Sequence, residues 1–422
     1  MAGPEGRPTI GGNPVATVLF LGASISQLAA IQKARRLGHT VIAVDADADA
    51  AAFADADVAE AVDFTDVPRV VEVARRHAID AVVAISTDRA VPAAAAVAEI
   101  LGLPGIGTET AHVMTDKGAM RLRLQERKVP QPAFGLLRGD LDPAWELEAL
   151  GTPAVLKPVD SGGQRGVFMI ASHAELAQRL PETLAYSRTG QAIIEHFIDG
   201  DELNGIVVVR DGEPTLLTLS DRLRPRGPGF GVGWIHLYPS LLDPDAIEAA
   251  AAVALDGVRA LGLRNGIAFP QILVTPSGEA LIVEVAARIP AGQMADLVYH
   301  ATGVDLVEIA LIQGLGGDVT DDMVNPRFHR PVAIRFLTAR PGILPTGTVT
   351  GIEGLDRVKA SPGILDAGLY IQLGETIRPV QVDADRRGYV IATADDPQSA
   401  LDLADKASQH LRIRVGRPIV TT

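Results

Sequence analysis

Lys157 closes an apolar run, Ala154-Val155-Leu156-Lys157-Pro158, and the glycine-rich chain Ser161-Gly162-Gly163-Gln164-Arg165-Gly166 follows it. An ammonium at the end of a buried strand is costly unless an anion meets it, and a loop of glycines can turn its amides toward phosphate oxygens. The pair reads either as a phosphate clamp or as a lysine snorkelling beside a flexible hairpin tip. The Gly-Lys-Ser/Thr ending of a P-loop is missing. Glu195, Phe197 and Glu202 lie further on, in Ile193-Ile194-Glu195-His196-Phe197-Ile198-Asp199-Gly200-Asp201-Glu202. Extended backbone can offer a base its hydrogen-bonding edge, and a carboxylate on the next turn can accept two ribose hydroxyl protons, as adenosine recognition requires. An exposed acidic loop is the plain alternative. A third group is Gln271 with Glu284-Val285-Ala286-Ala287-Arg288. If Thr275 faces Ala280 across the turn Pro276–Glu279, Gln271 lies opposite Glu284, with Ala286 and Arg288 on the same strand face. Glu284 sits in the apolar run Leu281–Val285 and therefore needs a partner, either a metal ion or Arg288.

Other positions are less specific. His236, after the Gly/Pro/Arg-rich segment Arg222–Gly233, either faces an acceptor substrate or is a satisfied structural histidine. Ser86-Thr87-Asp88-Arg89 either lines a cleft or gives a helix its N-cap. The turn Gly22–Gln27 has a single glycine, so it departs from the dinucleotide fingerprint even though Asp45 sits at a ribose-like position. A helix N-terminus facing a small anionic substrate fits that turn better. The histidines show no metal spacing, and no Ser/His/Asp set follows a nucleophile elbow.

The elements that must position these residues alternate regularly. Met1–Pro14 is Gly/Pro-rich and aperiodic, a disordered leader (1–14). Strands Val15–Leu21, Thr40–Asp45 and Asp80–Ala84 alternate with helices Ser26–Leu37, Pro68–His77 and Asp88–Leu101, which predicts a Rossmann-like α/β domain over 15–108. Helical spacing over Thr110–Arg127, strands Thr152–Pro158, Val167–Ile170 and Ala192–His196, and a helix opened by a Ser172/Glu175 capping box predict an α+β lid over about 120–195. A hairpin of Leu203–Arg210 and Thr215–Leu219 around Asp211-Gly212, the helix Pro244–Leu261 and strands Gly266–Val274 and Ala280–Val285 predict a mostly antiparallel central sheet, completing a unit over 109–318. A mixed α/β region over 319–422 contains strands Val332–Thr338 and Gly388–Thr393 and a helix opening at Asp396-Pro397.

Composition excludes several functions. The 422 residues are 47% apolar, enough for two to four compact units. Lys and Arg number 38 against 52 Asp and Glu, a net charge of −14 that repels polyphosphate and an anionic membrane, so neither nucleic acid nor membrane is an expected partner. Without cysteine there is no disulfide scaffold, thiolate nucleophile or iron–sulfur cluster. The first thirty residues lack a signal-peptide pattern and no apolar window is long enough to span a bilayer, so a cytoplasmic globular protein is expected. Lys117 and Lys157 are two of only six lysines in an arginine-heavy chain.

The order of Lys117, Lys157 with its glycine loop, the Glu195-to-Glu202 stretch and Glu284-x-x-x-Arg288 resembles the ATP-grasp superfamily, in particular the carboxylate–amine ligases related to the carbamoyl-phosphate synthase large subunit and the amino-acid ligases. The resemblance runs from Val15 to Arg414. It implies ATP and Mg²⁺ as cofactors, with Lys117 and Lys157 holding phosphates under a loop that includes Ser161, Gly162, Gly163 and Gly166. It further implies that Glu195 and Phe197 flank the adenine, that Glu202 takes the ribose, that Glu284 and Gln271 bind magnesium, and that Arg288 meets the acyl-phosphate or substrate carboxylate. Small-molecule carboxylates and amines are the implied partners, and relatives suggest a homodimer. Relatives usually carry Asp or Glu at Gln271 and Asn at Ala286, so this chain departs from them at two of three metal ligands. Two readings follow: a ligase that retains one ion through Glu284 and ATP, or a nucleotide-binding module without turnover. A kinase-like or carboxylating activity built on the same acyl-phosphate logic is a third.

Overall fold

The computed structural model describes residues 9–10, 13–137, 143–224 and 231–416. Within the expected leader Thr9–Ile10 pairs antiparallel with Asn13–Pro14, and the rest of it lies outside the described residues. The N-terminal unit is a parallel sheet in the spatial order Val58–Ala61, Thr40–Asp45, Thr17–Leu21, Ala81–Ala84. Helices Ile25–Arg36, Val67–Arg76 and Ala90–Leu101 pack on it. A parallel strand covered on both faces reads as one apolar run, as Val18–Leu21 does. The edge strand Val58–Ala61 lacks such a run and gave no sequence signal.

The lid is a four-stranded antiparallel sheet ordered Phe134–Leu137, Ala192–His196, Ala154–Pro158, Phe168–Ile170, with helices Pro143–Leu150 and His173–Ala185. Ser172 caps the second helix by accepting from the Glu175 N–H, but the Glu175 carboxylate accepts from Ala171 instead of Ser172, so the predicted capping box is only half formed.

The central sheet has eight strands, antiparallel throughout: Ala280–Ala286, Gly266–Val274, Asp201–Arg210, Glu213–Leu223, Ile235–Tyr238, Val332–Phe336, Gly388–Thr393, Ile364–Leu369. Its last three strands come from the mixed C-terminal region, which also forms a three-stranded sheet of its own. The hairpin at Asp211-Gly212 has both residues at positive φ, 51° and 89°, as a tight two-residue turn of this hand requires. Helix Pro244–Leu261 covers one face of the sheet, burying Val253, Val258 and Leu261 against Val207, Val209 and Ile282. On the other face Ile206, Val208 and Ile267 share a single core with Phe20 and Val83 of the N-terminal sheet. The two units are thus joined by apolar packing, which fixes the N-terminal loops over one end of the central sheet. Among the described residues no helix is long and apolar enough to cross a membrane.

Candidate active site

Three elements converge on one cleft. The helix Lys117–Glu126 is capped by Asp116, which accepts from Ala119 N–H at 2.8 Å, and this sets Lys117 in the first turn facing the cleft. Lys117 Nζ lies 2.9 Å from the Glu284 carboxylate and donates to the Ser161 carbonyl at 2.9 Å. Burial would lower the Lys117 pKa, but Glu284, Asp88 and Glu195 outweigh burial and raise it, so the ammonium stays charged. One helical turn on, Arg121 is only 1% exposed. Its Nε donates to Glu195 at 2.9 Å, Nη1 to Ile282 O at 2.9 Å and Nη2 to Val283 O at 2.7 Å. Lys157, on the lid strand, meets the other Glu195 oxygen at 2.6 Å. Burial alone would raise the Glu195 pKa, yet Arg121 and Lys157 outweigh it and hold the carboxyl at about 2.

Lys117, Lys157, Ser161, Gly162, Gly163, Glu195, Phe197, Glu202, Gln271 and Glu284 all line this cleft, whose free volume is about 110 Å³. The glycine loop is tucked against its surroundings: a Cβ on Gly162 would stand 3.1 Å from the Asp88 carboxylate, and Gly163 O accepts from Asp383 N–H at 3.4 Å. Gly166 is not in the cleft. Its φ is +69°, a Cβ there would meet the Tyr186 ring at 2.8 Å, and its carbonyl accepts from Thr183 Oγ1, so it anchors the base of the loop. Glu202 is gripped by Arg222 at 2.7 Å and Arg224 at 3.1 Å. Phe197 N–H is bonded to Pro153 O at 3.1 Å.

The register at the predicted metal position reached the expected pairing by another route. Val274, not Thr275, faces Ala280, and a bulge between Gln271 and Ile272 restores Gln271 opposite Glu284. Ala286 lies on the same sheet face but is 4% exposed and packed in the core. Among the described residues no cluster of three acidic or histidine side chains suits a metal. One carboxylate and one amide oxygen fit magnesium in its usual form, held by one or two carboxylates plus substrate phosphates, and the Lys117 ammonium beside Glu284 shows that this position accepts positive charge.

Arg288 is not among the residues that line this cleft. Its Nε and Nη2 both reach Asp88 at 2.7 Å, a bidentate pair between residues 200 apart in the chain. Asp88 therefore does not cap the following helix, whose N-cap Arg89 makes no side-chain cap bond. His236 is buried, with its Nδ1 3.2 Å from Asn204 Nδ2, and burial together with Arg222 and Arg386 pushes its pKa well below the usual value, which fits the structural reading. Residues 225–230 of the segment before it lie outside the described residues. At the Gly22–Gln27 turn Ala23 N–H bonds Asp45 and Ser24 N–H bonds Gln27. Asp45 braces the turn and the Gln27 side chain lies across the helix start, donating to Ile85 O at 2.8 Å. Arg121 was missed in the sequence, although its place four residues after Lys117 puts both on one helix face.

Residues 31–105 match the ATP-grasp N-terminal domain, 116–320 the carbamoyl-phosphate synthase L chain ATP binding domain, and 335–416 the L-amino acid ligase C-terminal domain 2. A D-alanine–D-alanine ligase of Desulforudis audaxviator is 30% identical over 48% of this chain and 72% of that protein. An uncharacterized Sinorhizobium fredii protein is 28% identical over 73% of this chain, which spans 63% of that protein's length. The crystal structure of an L-amino acid ligase from Bacillus licheniformis superposes with a TM-score of 0.80 at 20% identity, covering 95% of this chain and 99% of that one. The chain belongs to the ATP-grasp superfamily, among relatives that are ligases.

Proposed function

We propose that this protein is an ATP-dependent carboxylate–amine ligase that forms an amide or peptide bond through an acyl-phosphate. The observation that carries the reading is the convergence of Lys117 and Lys157, each paired with a carboxylate, Glu284 and Glu195, beneath one glycine loop. A carboxylate oxygen of the substrate attacks the γ-phosphorus, the bond from that phosphorus to the β,γ-bridging oxygen breaks, and ADP leaves. An amine nitrogen then attacks the acyl carbon, the acyl C–O bond breaks, phosphate leaves and the nitrogen loses a proton. Phosphoryl transfer asks the protein mainly for position and charge neutralisation. Lys117 and Lys157 supply cations at the phosphates, and Glu195 with Arg121 holds Lys157 in place. Phe197 and the backbone around it face the adenine, Glu202 the ribose, and Arg288 the substrate carboxylate. Glu284 and Gln271 would hold the magnesium that accompanies ATP, which neutralises charge on the β- and γ-phosphates. Loop closure over Ser161–Gly166 keeps water from the acyl-phosphate. Incubation with ATP, Mg²⁺ and pooled amino acids should yield ADP and a new amide by mass spectrometry. Nucleotide binding without ADP in any pool overturns the ligase and favours a module without turnover.

A further inference from the structure

Lys117 holds two positions at once. Its ammonium lies 2.9 Å from the Glu284 carboxylate and donates to Ser161 O at 2.9 Å, so it ties the carboxylate assigned to magnesium to the loop assigned to the phosphates. The other acids around the cleft are already paired. Both oxygens of Glu195 are taken, by Arg121 at 2.9 Å and Lys157 at 2.6 Å, and both of Glu202, by Arg222 at 2.7 Å and Arg224 at 3.1 Å. Asp88 gives its two oxygens to Arg288. Gln271, across the strand pair from Glu284, is a neutral amide, and Ala286 is sealed in the core. Glu284 therefore has no second carboxylate with which to share an ion. Among the described residues, four cations (Lys117, Lys157, Arg222 and Arg224) and three carboxylates line the cleft, and Arg121 behind Glu195 brings the excess to two positive charges. A pocket of that sign attracts a polyanion and repels a free divalent cation.

We propose that Lys117 guards Glu284: its ammonium keeps free divalent ions off that carboxylate, and Glu284 takes an ion only together with ATP, whose phosphates draw the ammonium away. A lysine stem is long and freely rotating, so the ammonium can pass from carboxylate to phosphate while its helix stays in place. One ion then binds per chain, and Lys117 supplies at the phosphates the positive charge that a second ion would bring. The charges agree with that stoichiometry. MgATP is a dianion, which the excess of two positive charges neutralises, whereas a second divalent ion would leave the cleft positive again. One carboxylate with substrate phosphates is a sufficient ligand set for magnesium. The assignment of Glu284 to the metal and of Lys117 to the phosphates rests on the ligase reading; the ion pair itself does not.

Ultrafiltration of the full chain with Mn²⁺ as the probe tests it, reading the metal retained in excess of the filtrate. Without nucleotide the unaltered chain should retain no more than Glu284→Gln does, and with the non-hydrolysable analogue AMP-PNP it should retain one ion per chain. Lys117→Met and Lys117→Gln, each checked for a cooperative melting transition, should bind Mn²⁺ without nucleotide at least tenfold more tightly than the unaltered chain. Lys117→Arg, which keeps the charge, should show no such gain, and adding Glu284→Gln to Lys117→Met should abolish it. Nucleotide-free retention by the unaltered chain above that of Glu284→Gln, no gain in the folded neutral variants, a gain that survives Glu284→Gln, or two ions per chain with AMP-PNP overturns the proposal. Failure of AMP-PNP to bind the unaltered chain would instead overturn the ligase reading, with the nucleotide-free comparison still deciding whether Lys117 guards Glu284.

Discussion

Lys157, Glu195 and Arg121 form a buried charge set whose parts are not interchangeable. Replacing Glu195 by Gln strands two cations in the interior and should cost about 3–5 kcal/mol in urea unfolding. Glu195 ordinarily titrates near 4.5 and here is held at about 2, so its contribution is fully present above pH 4.5 and disappears as pH falls through 2. A shift of that size corresponds to roughly 3 kcal/mol, and acid unfolding between pH 4.5 and 2 should flatten in Glu195→Gln. Lys117→Met and Lys157→Met should each weaken ATP binding at least tenfold by calorimetry; unchanged affinity in either would remove the phosphate assignment. Lys157 was legible because a cation at the end of an apolar run is expensive without a purpose, and Lys117 through the family resemblance and the scarcity of lysine in the chain. Their carboxylate partners were not, since Lys117 to Glu284 and Lys157 to Glu195 are contacts between residues far apart in the chain.

Elements came through where periodicity and punctuation agree. Thr40–Asp45, Ala192–His196, Pro244–Leu261 and Gly266–Val274 stand at the expected bounds, the long helix ended by Gly262 at φ +81°. Phe134–Leu137 and Ile235–Tyr238 escaped notice, being four-residue strands whose alternation is too short to register. The bulge at Gln271 shows a local pattern misjudging the turn while the cross-strand pair still forms, because both side chains belong on the cleft face. Gly166 is an element-scale requirement: Gly166→Ala should lower the melting temperature and loosen the lid loop by roughly 1–3 kcal/mol, since its positive φ and the Tyr186 ring both oppose a Cβ. An unchanged melting temperature would mean that the loop base is not anchored there.

Across the whole molecule, a cleft of about 110 Å³ lies below the range that ligand sites of nucleotide size occupy, so binding ATP requires the Ser161–Gly166 loop to lift away from Asp88 and Asp383. The chain has no cysteine, which allows a clean test. A Gly163→Cys/Asp383→Cys pair should, when oxidised, slow ATP association at least tenfold and recover on reduction; unaltered association would show that the loop need not move. By itself the sequence determined the parallel first unit, the antiparallel centre, the glycine loop and Lys157, because apolar periodicity, glycine placement and the cost of burying charge are local properties. Only the tertiary structure decided which carboxylate each cation meets, that Asp88 clamps Arg288 across 200 residues, and that Ala286 is sealed into the core. Those outcomes depend on how separate layers pack, and no spacing along one strand or helix encodes the distance between them.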